Sequence, residues 1–127
     1  MQLPVYYTSY FSYPQLKTMD SNTLYSISRY PPKNWKGNSI KDLSPNENLL
    51  RLVKSKEISF NEFKYKYLAQ LEYLYTSGKF EGMMLKIPDN SILICYEKDR
   101  NICHRYILLN YLIDNNFADK ASRELTQ

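Results

Sequence analysis

The chain has 127 residues, of which 43% are hydrophobic and 24% are charged, and its formal net charge is +4. This length and composition are typical of one globular domain with an ordinary hydrophobic core, so we expect a single domain over residues 1–127. The sequence has no run of about 18 apolar residues, which excludes a membrane-spanning helix. The first residues also lack the basic region and apolar core of a secretory signal, so a cytoplasmic protein is expected.

The positive charge is concentrated in the first part of the chain. Residues 1–56 hold eight Lys and Arg against three Asp and Glu, a net +5, whereas residues 57–127 hold nine against ten, a net −1. Such an excess favours an anionic partner, and a solvated basic face explains it equally well.

Two strands are predicted near the N-terminus. The β-branched and aromatic run Val5–Phe11 stops before Pro14, and Thr23–Ser28 forms a second run that leads directly into Arg29. Three polar side chains lie near the end of the first strand, namely Thr8, Ser9 and Tyr10. Both predicted strands therefore end beside polar residues.

A long loop over Tyr30–Leu43 follows the second strand. Pro31 and Pro32 exclude regular structure at its start, and lysines surround the single tryptophan, Trp35. Loops of this length inside a compact domain are usually functional or disordered, and an indole is costly to leave in water. Trp35 is therefore expected either to pack against the core or to stack on a planar ligand.

Three helices are predicted in the middle of the chain. Ser44–Glu47 has the capping-box pattern S-P-N-E, and Ser59–Glu62 repeats the pattern for a longer helix that Gly78 closes. Apolar residues recur along the longer helix at the spacing of a core-facing stripe: Phe60, Phe63, Tyr67, Leu71 and Leu74. A third, shorter helix is predicted over Lys79–Ile87.

The last part of the chain predicts one strand and one helix. Ser91–Tyr96 is apolar almost throughout, which is typical of a strand covered on both faces in a parallel sheet. Ile102–Asn116 has helical spacing, and residues 117–127 are expected to form a turn or a tail without a strand. This order of elements predicts a small three-layer α/β domain with a mostly parallel sheet and helices on both faces.

Ligands of open parallel sheets bind beyond the carboxyl ends of the strands. That rule gathers a set of residues that we expect to form a binding pocket: Thr8, Ser9, Tyr10, Arg29, Cys95, Glu97, Cys103, His104 and Arg105. Trp35 joins the set if it stacks on the ligand. Arg29 and Arg105 are expected to hold a phosphate or carboxylate, supported by the free amides at the start of the last helix.

Three of these residues are candidates for catalysis. Cys103 is expected in the first helical turn beside a cation, which favours its thiolate, while His104 would move a proton and Glu97 would act as a base. The sequence leaves open whether Cys103 reacts or only lines the pocket, and whether it forms a disulfide with Cys95. No metal site is expected, because the adjacent Cys103 and His104 would point in different directions on a helix.

The run L-I-C-Y-E-K-D-R-N-I-C-H-R over residues 93–105 resembles the C-terminal element of the YeaO-like family, domain of unknown function 488. Further segments are similar to the family as well: Ser26–Pro32, Leu43–Pro45 with Leu49 and Leu50, and Ile58–Leu71. The resemblance covers nearly the whole chain and implies a small α/β domain without a settled reaction. It points to six site residues: Arg29, Cys95, Glu97, Cys103, His104 and Arg105.

Three functional hypotheses follow from these observations. The first is a protein that binds, or also processes, a nucleotide or a similar anionic small molecule at the strand-end pocket. The second is a nucleic-acid-binding module that uses the basic loop Arg29–Lys41 with Trp35 as a stacking platform. The third is a small protein, of the kind that phages encode, that acts on a protein partner. The sequence specifies neither a cofactor nor an oligomeric state, and the modest net charge favours the first hypothesis over the second.

Overall fold

The computed structural model describes residues 2–99 and 102–125. Within these ranges the chain forms five strands: β1 (Tyr7–Tyr10), β2 (Leu24–Ser26), β3 (Asn38–Ser39), β4 (Ile92–Cys95) and β5 (Arg123–Glu124). The same ranges contain four α-helices: α1 (Glu47–Lys54), α2 (Phe60–Thr76), α3 (Lys79–Leu85) and α4 (His104–Asp114). Short 3-10 helices cover Pro14–Thr18, Ser21–Thr23 and Lys41–Leu43.

The strands form one sheet in the order β3-β2-β4-β1-β5, and every described pair is parallel. The central strand is β4, whose Ile94 lies beside Ser9 of β1 and Ser26 of β2. A parallel sheet connected by helices is a small α/β domain, so the predicted fold class is confirmed. The carboxyl ends of β1, β2 and β4 therefore meet at one edge of the sheet.

The two faces of the sheet are covered differently. Residues of β4 alternate between the faces, so that Leu93 and Cys95 join the core formed with the α-helices, while Ile92 and Ile94 join a second apolar cluster. The 3-10 helix Pro14–Thr18 and the loop before β3 close that second cluster. All four residues of β4 are buried, as its apolar sequence predicted. Helices were expected on both faces of the sheet, but the second face is covered by a 3-10 helix and a loop instead of an α-helix.

The helix α2 begins and ends where the sequence predicts. The hydroxyl of Ser59 accepts a hydrogen bond from the Glu62 amide at 3.1 Å, which satisfies one of the free donors at the helix start. After the last turn, Gly78 has φ 84°, in the left-handed region that favours glycine. Three members of the predicted apolar stripe are buried in the core, namely Phe63, Tyr67 and Leu71.

The helix α1 begins two residues later than predicted. Its N-cap is Asn46, whose side chain accepts a hydrogen bond from the Leu49 amide at 2.8 Å. Ser44 is buried, and its hydroxyl donates to the Lys41 carbonyl at 2.5 Å, within the preceding 3-10 turn. The predicted capping box at Ser44 is therefore wrong, because a local turn uses the serine that the pattern assigned to the helix.

Two of the described strands were not predicted. β3 lies inside the loop that was expected to be irregular, and β5 lies in the tail that was expected to contain no strand. Each has two residues and pairs with the edge of a neighbouring strand, β3 with β2 and β5 with β1. Segments this short carry no alternating pattern that the sequence could reveal. None of the helices in the described ranges has the length and apolar character needed to cross a membrane.

Candidate functional site

A cavity of ≈ 200 Å³ opens beyond the carboxyl ends of β2 and β4, on the face that the α-helices cover. Its wall contains five residues that the sequence predicted for the site: Arg29, Cys95, Glu97, Cys103 and His104. Arg29 follows β2, Cys95 ends β4 and His104 begins α4, so three separate elements bring these side chains together. The cavity occupies the position in which parallel sheets usually bind their ligands.

The remainder of the wall is mainly apolar. The helix α1 contributes Leu50 and Val53, and the first turn of α2 contributes Phe60 and Phe63. At the end of α1, the exposed Lys54 adds a cation to the wall. A concave apolar surface with a few charged groups is the usual composition of a small-molecule site.

The loop that follows β2 is fixed by side-chain hydrogen bonds. The Tyr96 hydroxyl donates to the Tyr30 carbonyl at 2.5 Å, and the Tyr30 hydroxyl donates to the Glu47 carboxylate at 2.7 Å. The second of these bonds raises the pKa of Tyr30 above its ordinary value. Arg29 Nε donates to the Pro45 carbonyl across a long 3.4 Å, and its terminal nitrogens bond to no residue that the structure describes. The guanidinium therefore keeps donors for a ligand.

Cys95, Cys103 and His104 form a buried cluster in the cavity wall. The two sulfur atoms are bonded to each other, while the Cα atoms lie 7.4 Å apart. That Cα separation exceeds the roughly 4.4–6.8 Å that disulfides usually span. His104 Nδ1 lies 4.0 Å from the Cys103 sulfur, and the three donor atoms all lie within 4.8 Å of one another. The sulfur atoms of Cys95 and Cys103 and the Nδ1 atom of His104 therefore lie together in one part of the cavity wall.

The backbone at the start of α4 explains why these side chains meet. Cys103 is the N-cap of α4 and has extended backbone angles, φ −120° and ψ 144°, instead of lying in the first helical turn. His104 is the first helical residue. The change of backbone conformation between the two residues turns both side chains toward Cys95. The expectation that Cys103 and His104 would diverge on a helix is therefore wrong.

His104 is held as a neutral imidazole. Its Nε2–H donates to the Ile27 carbonyl at 2.7 Å, and since a carbonyl oxygen only accepts, Nδ1 must carry the lone pair. Burial lowers the pKa of His104 to about 4, and the nearby charge of Arg105 acts in the same direction. The ring of Tyr67 contacts His104 edge-on, with 5.5 Å between the ring centroids, and burial raises the pKa of that tyrosine.

Arg105 lies outside the cavity wall and is fully buried, with 0% of its surface exposed. It donates to the Glu124 carboxylate twice, at 3.0 and 2.8 Å. Its remaining N–H groups donate to the Cys95 sulfur and to the carbonyls of Glu97 and Lys98. All five donors are therefore used inside the protein, and the expected contact of Arg105 with a ligand phosphate is not what the structure shows. Arg105 instead joins the loop after β4 to β5.

The residues at the end of β1 also lie outside the cavity wall. The Thr8 hydroxyl donates to Glu124 at 2.5 Å, and the Tyr10 ring lies 5.9 Å from the Arg105 guanidinium. Ser9 is completely buried, and its hydroxyl has no hydrogen-bond partner within residues 2–99 and 102–125. The space beyond β1, where a ligand was expected, is therefore occupied by the buried Arg105–Glu124 pair.

Trp35 lies on the opposite face of the sheet from the cavity. Its indole N–H donates to the Asn38 carbonyl at 2.8 Å, and its ring meets Phe11 edge-on at a centroid distance of 5.0 Å. A Cβ atom on Gly37 would come within 2.6 Å of the indole, so the glycine leaves room for it. Of the two roles expected for Trp35, the structure supports packing. The side chain is only half-buried, so its stacking on a ligand stays a prediction.

A match to one protein-family model shows what kind of domain carries this cavity. Residues 12–116 match the model DUF488-N3a, whose description is the active DUF488-N3 subclade. The chain belongs to the DUF488-N3a family. The match contains every residue of the cavity wall, and it confirms the YeaO-like assignment expected from the Cys-Tyr-Glu and Cys-His-Arg element. No curated protein and no solved structure matches the chain.

Several residues that shape the site of this DUF488-N3a protein were missed by the sequence analysis. Phe60 and Phe63 were assigned to core packing, because the same stripe of α2 faces both the core and the cavity. Lys54 was assigned no role, since nothing in its local sequence separates it from other exposed lysines. Glu124 was placed in a turn or a tail without a strand, although the buried Arg105 requires a counter-charge. Glu124 becomes recognisable as the counter-charge only when the burial of Arg105 is known.

Proposed function

We propose that this DUF488-N3a protein binds a nucleotide or a similar anionic small molecule in the cavity at the ends of β2 and β4. The observation that carries the proposal is one cavity that combines aromatic and aliphatic side chains with two cations, Arg29 and Lys54. Such a combination suits a ligand with a planar apolar part and an anionic group.

The charges of the wall support the anionic end of the ligand. Within the described ranges, the ion pairs are Arg51–Glu57 and Arg105–Glu124. Neither Arg29 nor Lys54 takes part in them, so both cations can pair with an anionic ligand. The planar guanidinium of Arg29 is suited to a bidentate hydrogen bond with phosphate or carboxylate oxygens. Lys54 supplies a second, mobile positive charge on the same wall.

The aromatic side chains support the planar end of the ligand. Phe60 and Phe63 lie with their ring centroids 5.6 Å apart and their planes 31° apart, and both line the cavity. Leu50 and Val53 of α1 continue the apolar wall. The face of a flat heterocycle placed against these side chains would bury apolar area.

The size of the cavity restricts the ligand. Its volume of ≈ 200 Å³ lies below the roughly 300–1,000 Å³ of sites that enclose drug-sized molecules. The cavity therefore suits a mononucleotide, of which one portion is enclosed and the other lies at the mouth.

Processing of the ligand extends the proposal, and the description of the family as active favours it. Glu97 is exposed at the cavity and forms no ion pair among the described residues, which suits the base predicted from the sequence. Cys103 would act as a nucleophile only after its bond to Cys95 is reduced, because the attacking group is a thiolate. The catalytic roles of Glu97, Cys103 and His104 stay predictions.

Isothermal titration calorimetry with nucleoside monophosphates and the matching nucleosides tests the binding proposal. We expect at least one monophosphate to bind, and Arg29→Ala to weaken it roughly 10- to 100-fold, because a charged hydrogen bond contributes about 1.5–3 kcal/mol. The nucleoside should bind both proteins alike, since it lacks the phosphate.

The matched control is Lys64→Ala, which removes an exposed charge from α2 outside the cavity wall and should leave the affinity unchanged. Equal monophosphate affinities of the wild type and Arg29→Ala would contradict the proposal, as would the absence of binding across the whole panel.

A further inference from the structure

We infer that, once their mutual bond is reduced, Cys95, Cys103 and His104 bind a thiophilic divalent metal ion, Zn²⁺ in the first instance, with one coordination position open to the cavity. The site stands independently of the small-molecule proposal. Its donors are two sulfurs and one imidazole nitrogen, the ligand types that zinc prefers. All three residues are buried, with exposed fractions of 1%, 3% and 8%.

The donor atoms lie close enough together to share a single ion after reduction. All three lie within 4.8 Å of one another, so they are close enough to converge on one ion; zinc–ligand bonds of about 2.0–2.3 Å require the two bonded sulfurs to move apart to roughly 3.3–3.8 Å. The Cα atoms of the two cysteines lie 7.4 Å apart, farther than in ordinary disulfides. This spacing leaves room for an ion between the sulfurs once they separate.

The orientation of His104 is the independent observation that points to a metal. Its Nε2–H donates to the Ile27 carbonyl at 2.7 Å, so the lone pair of Nδ1 faces the sulfurs. Histidines that bind metals almost always donate their other ring N–H to a carbonyl or carboxylate, which fixes the ring. A histidine that served only as core packing would not need its free lone pair directed at two cysteines.

Arg105 places a positive charge beside the proposed metal ligands. Its Nη1 donates to the Cys95 sulfur at 3.3 Å, which places a positive charge beside one of the two proposed sulfur ligands. The ion pair with Glu124 at 2.8 Å balances the guanidinium itself. Two thiolates and one divalent ion then form a neutral cluster, which lowers the cost of burying the charges.

The site forms only after the disulfide is reduced. An external dithiol reduces the Cys95–Cys103 bond, transferring two electrons and two protons, and is itself oxidised to a disulfide. The metal then replaces the two thiol protons, which pass to solvent. Coordination would withdraw electron density from the Cys103 sulfur, so a metal-bound Cys103 would be a weaker nucleophile than the free thiolate.

The open position faces the cavity, since all three ligand residues line its wall. Three protein ligands with one free position is the arrangement of catalytic zinc sites, whereas structural sites have four protein ligands. An oxygen or nitrogen atom of a cavity-bound molecule, or a water, would complete the coordination.

Titration of the reduced, metal-free protein with Co²⁺ tests the inference. We expect one ion per chain, with sulfur-to-cobalt charge-transfer absorption and the ligand-field bands of a tetrahedral site, and we expect Zn²⁺ to displace the cobalt. His104→Gln should weaken cobalt binding by about 100-fold or more, because outer-shell partners alone contribute roughly 10- to 100-fold. Tyr67→Phe alters a side chain that packs against the His104 ring but removes no metal ligand, so this variant should bind cobalt as tightly as the wild type.

A second measurement covers the case in which a variant fails to fold. Saturating Zn²⁺ should protect both thiols of the reduced wild-type protein from a thiol reagent, while the oxidised protein should bind no cobalt. The inference is overturned if the reduced protein shows no cobalt–thiolate absorption, if zinc leaves both thiols fully reactive, or if a folded His104→Gln binds cobalt as tightly as the wild type. Nucleotide titrations of the metal-free protein are unaffected by any of these outcomes, so the two proposals fail separately.

Discussion

Replacement of Glu124 by glutamine isolates the buried ion pair that joins α4 to β5. The Arg105 side chain is 0% exposed and that of Glu124 is 13% exposed, and the carboxylate accepts two hydrogen bonds from the guanidinium. Glutamine keeps the volume and one acceptor but removes the charge, so the guanidinium stays buried without a counter-charge. Breaking a buried pair in this way costs about 3–5 kcal/mol, and we expect the lower end because Glu124 retains some contact with solvent.

Urea denaturation followed by circular dichroism measures this cost. Glu124→Gln should lower the free energy of unfolding by about 3 kcal/mol with an unchanged denaturant slope, because the surface exposed on unfolding stays the same. Glu81→Gln, an exposed carboxylate on α3, is the matched control and should stay within about 0.5 kcal/mol of the wild type. A Glu124→Gln variant as stable as this control would refute the structural role assigned to Arg105.

Two further predictions concern packing and pH. Gly37→Ala would place a Cβ 2.6 Å from the Trp35 ring and should lower the free energy of unfolding by about 1–3 kcal/mol, whereas Gly82→Ala, in open space on α3, should raise it by about 1 kcal/mol. Equal effects of the two substitutions in urea would contradict this packing. Burial raises the pKa of Tyr6 to about 12, above its ordinary value of about 10. The protonated phenol therefore contributes its full share to the free energy of unfolding below a pH of about 10, and this share is lost as the pH rises toward 12. Tyr6→Phe should show a shallower fall of unfolding free energy across that window, and a parallel fall would show that Tyr6 is not responsible.

The elements that sequence reasoning predicted are those whose determinants are local. The helix α2 is specified by its own cap at Ser59 and by Gly78 after its end, and the strand β4 is specified by its continuous apolar run. The start of α1 was misplaced because Ser44 and Asn46 both cap helices, and a tertiary turn decided between them. The two-residue strands β3 and β5 exist only through their partners, so no local pattern announces them.

The candidate site was predicted as far as sheet topology determines it. The rule that ligands bind at the ends of parallel strands brought Arg29, Cys95 and Glu97 to one place, and the structure puts all three in the cavity wall. The rule failed beyond β1, because β5 lies beside that strand and its Glu124 fills the space together with Arg105. Burial and pairing across more than a hundred residues of sequence, as between Thr8 and Glu124, are tertiary properties that composition and spacing do not contain.

The central claim is that the cavity at the ends of β2 and β4 is the ligand site, and NMR chemical-shift mapping tests it most directly. An isotope-labelled protein would be titrated with the nucleoside monophosphates, and the perturbed backbone amides would be located on the structure. We predict that the shifts cluster on the cavity wall, at Ser28, Arg29, Phe60, Phe63 and Glu97, and that the loop around Trp35 is unaffected. Perturbations confined to that loop, or no perturbation by any compound of the panel, would contradict the account.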